Sequence, residues 1–148
     1  MKVRDIMSSP VIETSPRTSI RSALETMRAR DIGALAVVSD GAVEGIVTDR
    51  DIILGALPGA KPDMPVGELM TRDPAVCGAD DEVERAAELM GDLQVRRLPV
   101  VDAAGALVGF LSLSDIAEHA SEELAGQALG EIVEDRGPPR RDGVRRWR

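Results

Sequence analysis

The sequence predicts an α/β fold made of two copies of one β-α-β-β-α unit. Three observations carry this: the chain repeats itself at a nearly fixed offset, each copy holds one stretch with a helical apolar stripe, and two short β-branched runs follow that stretch. VRDIM at 3–7 returns as VGELM at 66–70, and SIRSALETM at 19–27 returns as EVERAAELM at 82–90, both at an offset of 63. IGALAVV at 32–38 returns as VRRLPVV at 95–101 at the same offset, and VEGIVTDRDI at 43–52 as LVGFLSLSDI at 107–116 at 64. One residue added near Ala103 to Gly105 accounts for the slip. PVIETSPRTSI and PAVCGADDEV also differ by one residue, as loops do.

The elements follow in order within a copy. Pro10, Val11 and Ile12 open a short extended stretch. Thr18 reads as the N-cap of a helix whose Ile20, Ala23, Leu24 and Met27 share one face. In the second copy Asp81 and Glu84 read as a capping box, and Val83, Ala86, Ala87 and Met90 repeat the face. The runs ALAVVS and VEGIVT flank Asp40-Gly41, a hairpin signal, and LPVVD and LVGFLS flank Ala104-Gly105. A second helix begins near Asp51 and near Asp115.

A unit of about sixty residues buries a small share of its surface, so the two units are expected to pack together as a pseudo-twofold pair. The expected boundaries are 1–56 for the first unit, 57–65 (LPGAKPDMP) for a linker, 66–122 for the second unit, and 123–148 for a helix end and a charged tail. From Glu131 onward that tail is expected to be mobile.

Composition narrows the function. Net charge is −8, divided into +3 for residues 134–148 and −11 for the rest. An acidic body opposes phosphate-backbone binding, and Phe110 and Trp147 are the only aromatic platforms, so nucleic acid is not an expected partner. The Arg-rich tail with Trp147 is a separate element. Cys77 and His119 are each alone, which leaves no disulfide framework, no thiol- or imidazole-rich metal site and no Ser/His/Asp or Cys/His catalytic set. No P-loop pattern occurs, so an enzyme is not expected. No apolar run approaches a membrane span and the N-terminus lacks a signal core, so a cytoplasmic location is the default.

The stretch GIVTDRDIIL at 45–54 places Thr48, Asp49, Arg50 and Asp51 where one apolar element hands over to the next. Its counterpart GFLSLSDI keeps the hydroxyl as Ser112 and the carboxylate as Asp115, with Ser114 in place of the arginine. Such a cluster serves as a helix cap or as a ligand site.

These stretches, with VRDIM-SSPV, DIGALAVV and QVRRLPVVD, resemble the CBS domain, which occurs in tandem pairs that bind adenine nucleotides and related ligands. The resemblance covers about 115 of the 148 residues, and the whole chain looks like the stand-alone bacterial two-CBS proteins, including the hypoxic-response type. It implies two clefts between the copies, an apolar adenine slot, a ribose held by the Asp that opens the last helix, and often a disc-like homodimer. Carried over, Asp51 and Asp115 would hold ribose, and Thr48, Ser112, Arg50 and Ser114 would meet phosphate. Arg96 or Arg97 would reach the Asp51 cleft, and Ile12 and Val76 would line adenine slots. The Asp115 cleft, faced by Gly33 and Ala34, has no obvious cation, so unequal sites are expected. The implied ligands are AMP, ADP, ATP, NAD(H) or S-adenosylmethionine, with no required cofactor and an unidentified effector protein as the output. The alternative is an assembly or interaction module with vestigial clefts.

Overall fold

The computed structural model describes residues 1–56, 59 and 61–136 of the chain. Most of the Arg-rich tail, from Gly137 through Trp147 to Arg148, lies outside the described residues. The chain forms two compact units, one spanning Ile12–Pro74 and the other joining Met1–Val11 to the chain from Ala75 onward.

The Ile12–Pro74 unit contains β1 (Glu13–Thr14), α1 (Ile20–Arg30), β2 (Ala34–Ser39), β3 (Ala42–Thr48), α2 (Asp49–Ala56), a 3-10 turn at Val66–Glu68 and β4 (Thr71–Arg72). Its sheet runs β1-β2-β3-β4, with β1 parallel to β2 and the other pairs antiparallel. The second unit contains a 3-10 turn at Val3–Asp5, β5 (Cys77–Gly78), α3 (Val83–Leu93), β6 (Arg97–Val101), β7 (Leu107–Ser112), α4 (Leu113–His119) and α5 (Glu122–Val133). Its sheet runs β5-β6-β7, again with a parallel first pair. The α/β reading and the two repeated units therefore stand.

Local chemistry sets the element ends. The β2–β3 turn puts Asp40 at φ 51 and Gly41 at φ 78, the left-handed pair that a two-residue hairpin needs. In the second unit Gly105 has φ 82, and Asp102 Oδ1 accepts the N–H groups of Ala104 and Ala106, both at 2.9 Å. The caps differ from expectation. Ser19, not Thr18, caps α1 by accepting the Ser22 N–H at 3.2 Å, because the Thr18 hydroxyl already accepts from Ser15 N–H. The expected Asp81/Glu84 box does not form: Asp81 accepts the Gly78 N–H at 2.8 Å, and Glu82 takes the N-cap position of α3 without a side-chain cap bond.

Strand alternation builds each core. Leu35, Val37 and Val47 face Ile20, Ala23, Met27 and Ile52, and Leu98, Val100 and Leu111 face Val83, Ala86, Met90 and Ile116. The repeats also trade their leading segments. Val3 and Ile6, which open the first repeat, lie in the core built on the second, while their counterparts Val66 and Leu69 pack into the core built on the first. The hydrogen bonds repeat the trade. Val3 N–H donates to the Asp81 carbonyl at 2.9 Å and Val66 N–H to that of Thr18 at 2.8 Å; Val83 N–H donates to the Met1 carbonyl and Ile20 N–H to that of Met64. Glycine at 45 and 109 makes room for this. A Cβ on Gly45 would lie 2.6 Å from Met70 Sδ, and one on Gly109 would collide with Met7 Sδ. Glu82 fastens the N-terminal segment by accepting from Lys2 Nζ at 2.6 Å and from the terminal amine at 3.1 Å. The Lys2 hydrogen bond holds the Glu82 carboxyl below its ordinary value and raises the Lys2 ammonium above its own.

The charged end starts later than expected. A complete helix, α5, runs to Val133 and buries Ala125, Ala128 and Ile132 against the second unit's core. The buried Gln94 amide donates to the carbonyls of Glu131 and Glu134 at 3.0 and 2.8 Å, which ties the C-terminal end of α5 to that of α3.

Candidate ligand sites at two helix starts

The two polar clusters are reciprocal caps. In the Ile12–Pro74 unit Asp51 N–H donates to Thr48 Oγ1 at 3.1 Å, and Thr48 N–H returns a bond to Asp51 Oδ2 at 3.0 Å. In the second unit Asp115 N–H donates to Ser112 Oγ at 3.1 Å, while the Ser112 N–H and hydroxyl both donate to Asp115 Oδ2 at 2.7 Å. The sequence folds this way because a hydroxyl followed three residues later by a carboxylate satisfies two helix-terminal N–H groups. Both carboxylates are half-buried in the first turn of a helix, each held by the backbone N–H of the residue that ends the preceding strand.

A second pair of bonds ties each helix start to the preceding strand. The Asp49 N–H donates to the Gly33 carbonyl and the Leu113 N–H to the Arg96 carbonyl, each at 3.0 Å. Strand register then sets the neighbours: Ala34 lies opposite Thr48, and Arg97 lies opposite Ser112. Ser112, Asp115 and Arg97 are thus gathered within one unit. Arg96 and Arg97 are both exposed, as is Ser114.

Two expected residues are placed differently from their neighbours. Arg50 is exposed, and its N–H donates to Asp49 Oδ1 at 2.8 Å. Consecutive helix residues do not share a face, so Arg50 does not stand beside the Asp51 carboxylate on α2. Ile12 packs against the core of its own unit, whereas Val76 is exposed. Register explains the difference. Thr14 pairs with Val37 as Cys77 pairs with Val100, so the counterpart of Val76 is Glu13, and Ile12 corresponds to the core-facing Ala75. Glu13 was hidden because matching Pro10 with Pro74 shifts the comparison by one residue, whereas the offset of 63 holds from Val3 through Thr14 to Ile20; the alternation Ile-Glu-Thr against Ala-Val-Cys is the signal that could have exposed it.

Burial, with a smaller contribution from Asp81, pushes the Cys77 thiol up to about 12, which leaves it neutral and unreactive at physiological pH. Among the described residues no group of three His, Cys, Asp or Glu is placed to hold a metal ion, and no helix is long and apolar enough to cross a membrane.

Comparison with known proteins agrees with this architecture. The CBS domain model matches residues 3–56 and 66–122. The CBS domain-containing protein YhcV of Bacillus subtilis is 38% identical over 132 residues, covering 88% of this chain and 94% of the relative. Hypoxic response protein 1 of Mycobacterium tuberculosis is 34% identical over 132 residues, covering 87% and 92%. Among solved structures, CBSX2 of Arabidopsis thaliana in complex with AMP has a TM-score of 0.70 at 33% identity, covering 80% of this chain and 95% of that one. The CBS domain pair of protein MJ0100, in complex with 5-methylthioadenosine and S-adenosyl-L-methionine, has a TM-score of 0.71 at 29% identity, covering 86% and 98%. The chain belongs to the CBS-domain family and carries two copies of the domain.

Proposed function

We propose that this chain is a non-catalytic regulatory sensor of adenosyl ligands, working as a homodimer in the bacterial cytoplasm. The observation that carries the reading is the duplicated carboxylate–hydroxyl box, Thr48 with Asp51 and Ser112 with Asp115. A carboxylate offers about four acceptor positions, so one that caps a helix can also accept from two vicinal ribose hydroxyls, and such charge-assisted bonds are the stronger kind. The complexes of related CBS pairs with AMP and with S-adenosyl-L-methionine support the ligand class. In this reading Asp51 and Asp115 bind ribose, and Thr48, Ser112 and Ser114 supply hydroxyls. The exposed Arg50, Arg96 and Arg97 meet phosphate, and Val76 contacts the base; Ile12 contributes through its backbone. AMP, ADP, ATP, NAD(H) and S-adenosylmethionine are the candidates. The two boxes differ in their arginine, so the sites bind unequally. Ligand acts by its differential affinity for two conformations, and an effector protein reads the result.

Thermal-shift and calorimetric titration with these five ligands tests the proposal. Saturable binding that weakens in Asp51→Asn supports it; no binding of any of the five defeats it. One observation favours a second reading, an assembly module with vestigial sites: each box satisfies its own backbone groups and needs no ligand to do so. Specific capture of a protein partner, with no response to ligand, would favour it.

A further inference from the structure

The unit that carries the charged end of the chain has an acidic helix face, and the first arginine of that end is already seated beside it. In this unit α5 lies against α3 and α4. The Glu131 side chain of α5 reaches α3 at Gly91, where a Cβ would collide with it, and the Gln94 amide holds the Glu131 carbonyl at 3.0 Å. Residues four apart share a helix face. Glu131 therefore shares its side of α5 with Gln127 and Glu123, and beside Gly91 begins the ridge of Asp92, Glu88 and Glu84 along α3. All six side chains are exposed. Among the described residues none of these five carboxylates forms an ion pair, and Arg85, the one basic residue of α3, reaches none of them. Like charges at that spacing destabilise a helix, so the ridge lacks a cation that it would favour.

The other unit shows that the helix itself does not require this charge. At the same offset of 63 the ridge of α1 reads Arg21, Glu25 and Ala29. The acidic ridge belongs to the unit from which the tail departs, and the departure is directed. Beyond α5, Arg136 donates from Nη1 to the Asp92 carbonyl and from Nε to Glu134 Oε2, both at 3.0 Å. Arg136 thus sets the chain down at the C-terminal end of the ridge. The segment GPPRRDGVRRWR follows at 137–148, with five arginines against Asp142. A segment of that length spans up to about 40 Å, whereas Asp92 to Glu84 is about 12 Å of helix.

We propose that residues 137–148 lie back along this face as a strap, with their arginines on Glu84, Glu88 and Asp92 of α3 and on Glu123 and Glu131 of α5. A guanidinium suits a row of carboxylates because it can meet each one bidentately. The strap keeps the tail's arginines on the protein and away from other anions, and it opens as salt screens the pairs.

Trp147 is the only tryptophan of the chain, so its fluorescence anisotropy reports the tail alone. In the full chain at low salt the anisotropy is expected to be roughly twice that in 1 M NaCl, where the Debye length is about 3 Å. Glu88→Lys/Asp92→Lys on the face and Arg145→Glu/Arg146→Glu on the tail are each expected to lower it to the high-salt value. Glu25→Lys, at the matching place on α1, is expected to leave it unchanged. Circular dichroism verifies that the face variant is folded, and the tail variant decides the question if it is not. An anisotropy independent of salt, unchanged in the tail variant or in the folded face variant, or lowered equally by Glu25→Lys overturns the proposal. Mixing the face variant with a Trp147→Phe chain tests whose tail is bound. No change is expected; restored anisotropy would mean that the tail crosses to a second copy, which overturns its assignment to the same chain.

Discussion

The traded leading segments make a prediction that runs against the linear order of the repeats. Val3 begins the first repeat and Val66 the second, yet each is fully buried in the unit built on the other repeat. Replacing either with Ala removes two methyl groups. At about 0.8 kcal/mol per buried carbon the transfer loss is about 1.6 kcal/mol, and the cavity left in a packed core raises it to about 2 to 3 kcal/mol. At 1.4 kcal/mol per tenfold, that is roughly a 30- to 150-fold increase in the opening of the affected unit. Hydrogen exchange followed by mass spectrometry resolves where the opening occurs. Val3→Ala is expected to speed exchange in α3, β6 and β7 and to spare α1, β2 and β3, and Val66→Ala is expected to do the reverse. If Val3→Ala instead loosens α1, β2 and β3, or if both variants loosen the whole chain equally, the leading segments do not serve the cores assigned to them.

Three further outcomes follow from single contacts. Gly91→Leu should force α5 off α3 and abolish exchange protection from Glu122 to Val133, whereas Arg28→Leu at the equivalent position should not destabilise α1; retention of α5 protection in Gly91→Leu would show that the close approach is not needed. Ser112→Ala removes the acceptor for Asp115 N–H and should lower stability by about 1 kcal/mol in denaturant titration, as loss of a helix cap does; no change would mean the box contributes nothing. Cys77 should resist alkylation at pH 8 in the folded chain. Its folded value lies above the ordinary one, so its contribution to stability is complete below about pH 9 and is lost as pH rises toward 12, by at most about 4 kcal/mol; labelling at the rate of an unfolded control, or an identical high-pH decline in Cys77→Ala, would contradict the burial.

Much of the fold is legible in the sequence because hydrophobic period and repeat agree. The stripe Ile20, Ala23, Met27 and the hairpin at Asp40-Gly41 declare themselves locally, and a second copy in register removes the ambiguity of short apolar runs. What the sequence hides are relations between distant segments. Nothing in VRDIM says that Val3 packs under α3, because an apolar residue at that spacing would serve either unit. Thr18 and Ser19 are equally good caps by residue type, and the choice is made by Ser15, whose N–H already engages Thr18. The helix Glu122–Val133 follows α4 after a break of two residues, and two of its three buried positions are alanine, so its stripe is faint until Gly91 and Gln94 are seen to receive it. At the candidate site the Thr48/Asp51 and Ser112/Asp115 pairs are readable from spacing alone. Which of Ile12, Glu13 and Val76 faces away from the core is not, since matching Pro10 with Pro74 shifts the comparison by one residue and reverses the answer, and strand register fixes it.

The claim on which the functional account stands is that Asp51 holds the ribose of an adenosyl ligand, and calorimetric titration of the wild type and Asp51→Asn with AMP tests it most directly. Asparagine keeps an acceptor for the Thr48 N–H but loses the charge, so the cap survives while the hydrogen bonds to ribose weaken by about 1.5 to 3 kcal/mol. The account predicts a dissociation constant raised roughly 10- to 100-fold for one class of site, with the melting temperature of the free protein nearly unchanged. AMP binding with the same affinity and stoichiometry in both proteins would contradict it.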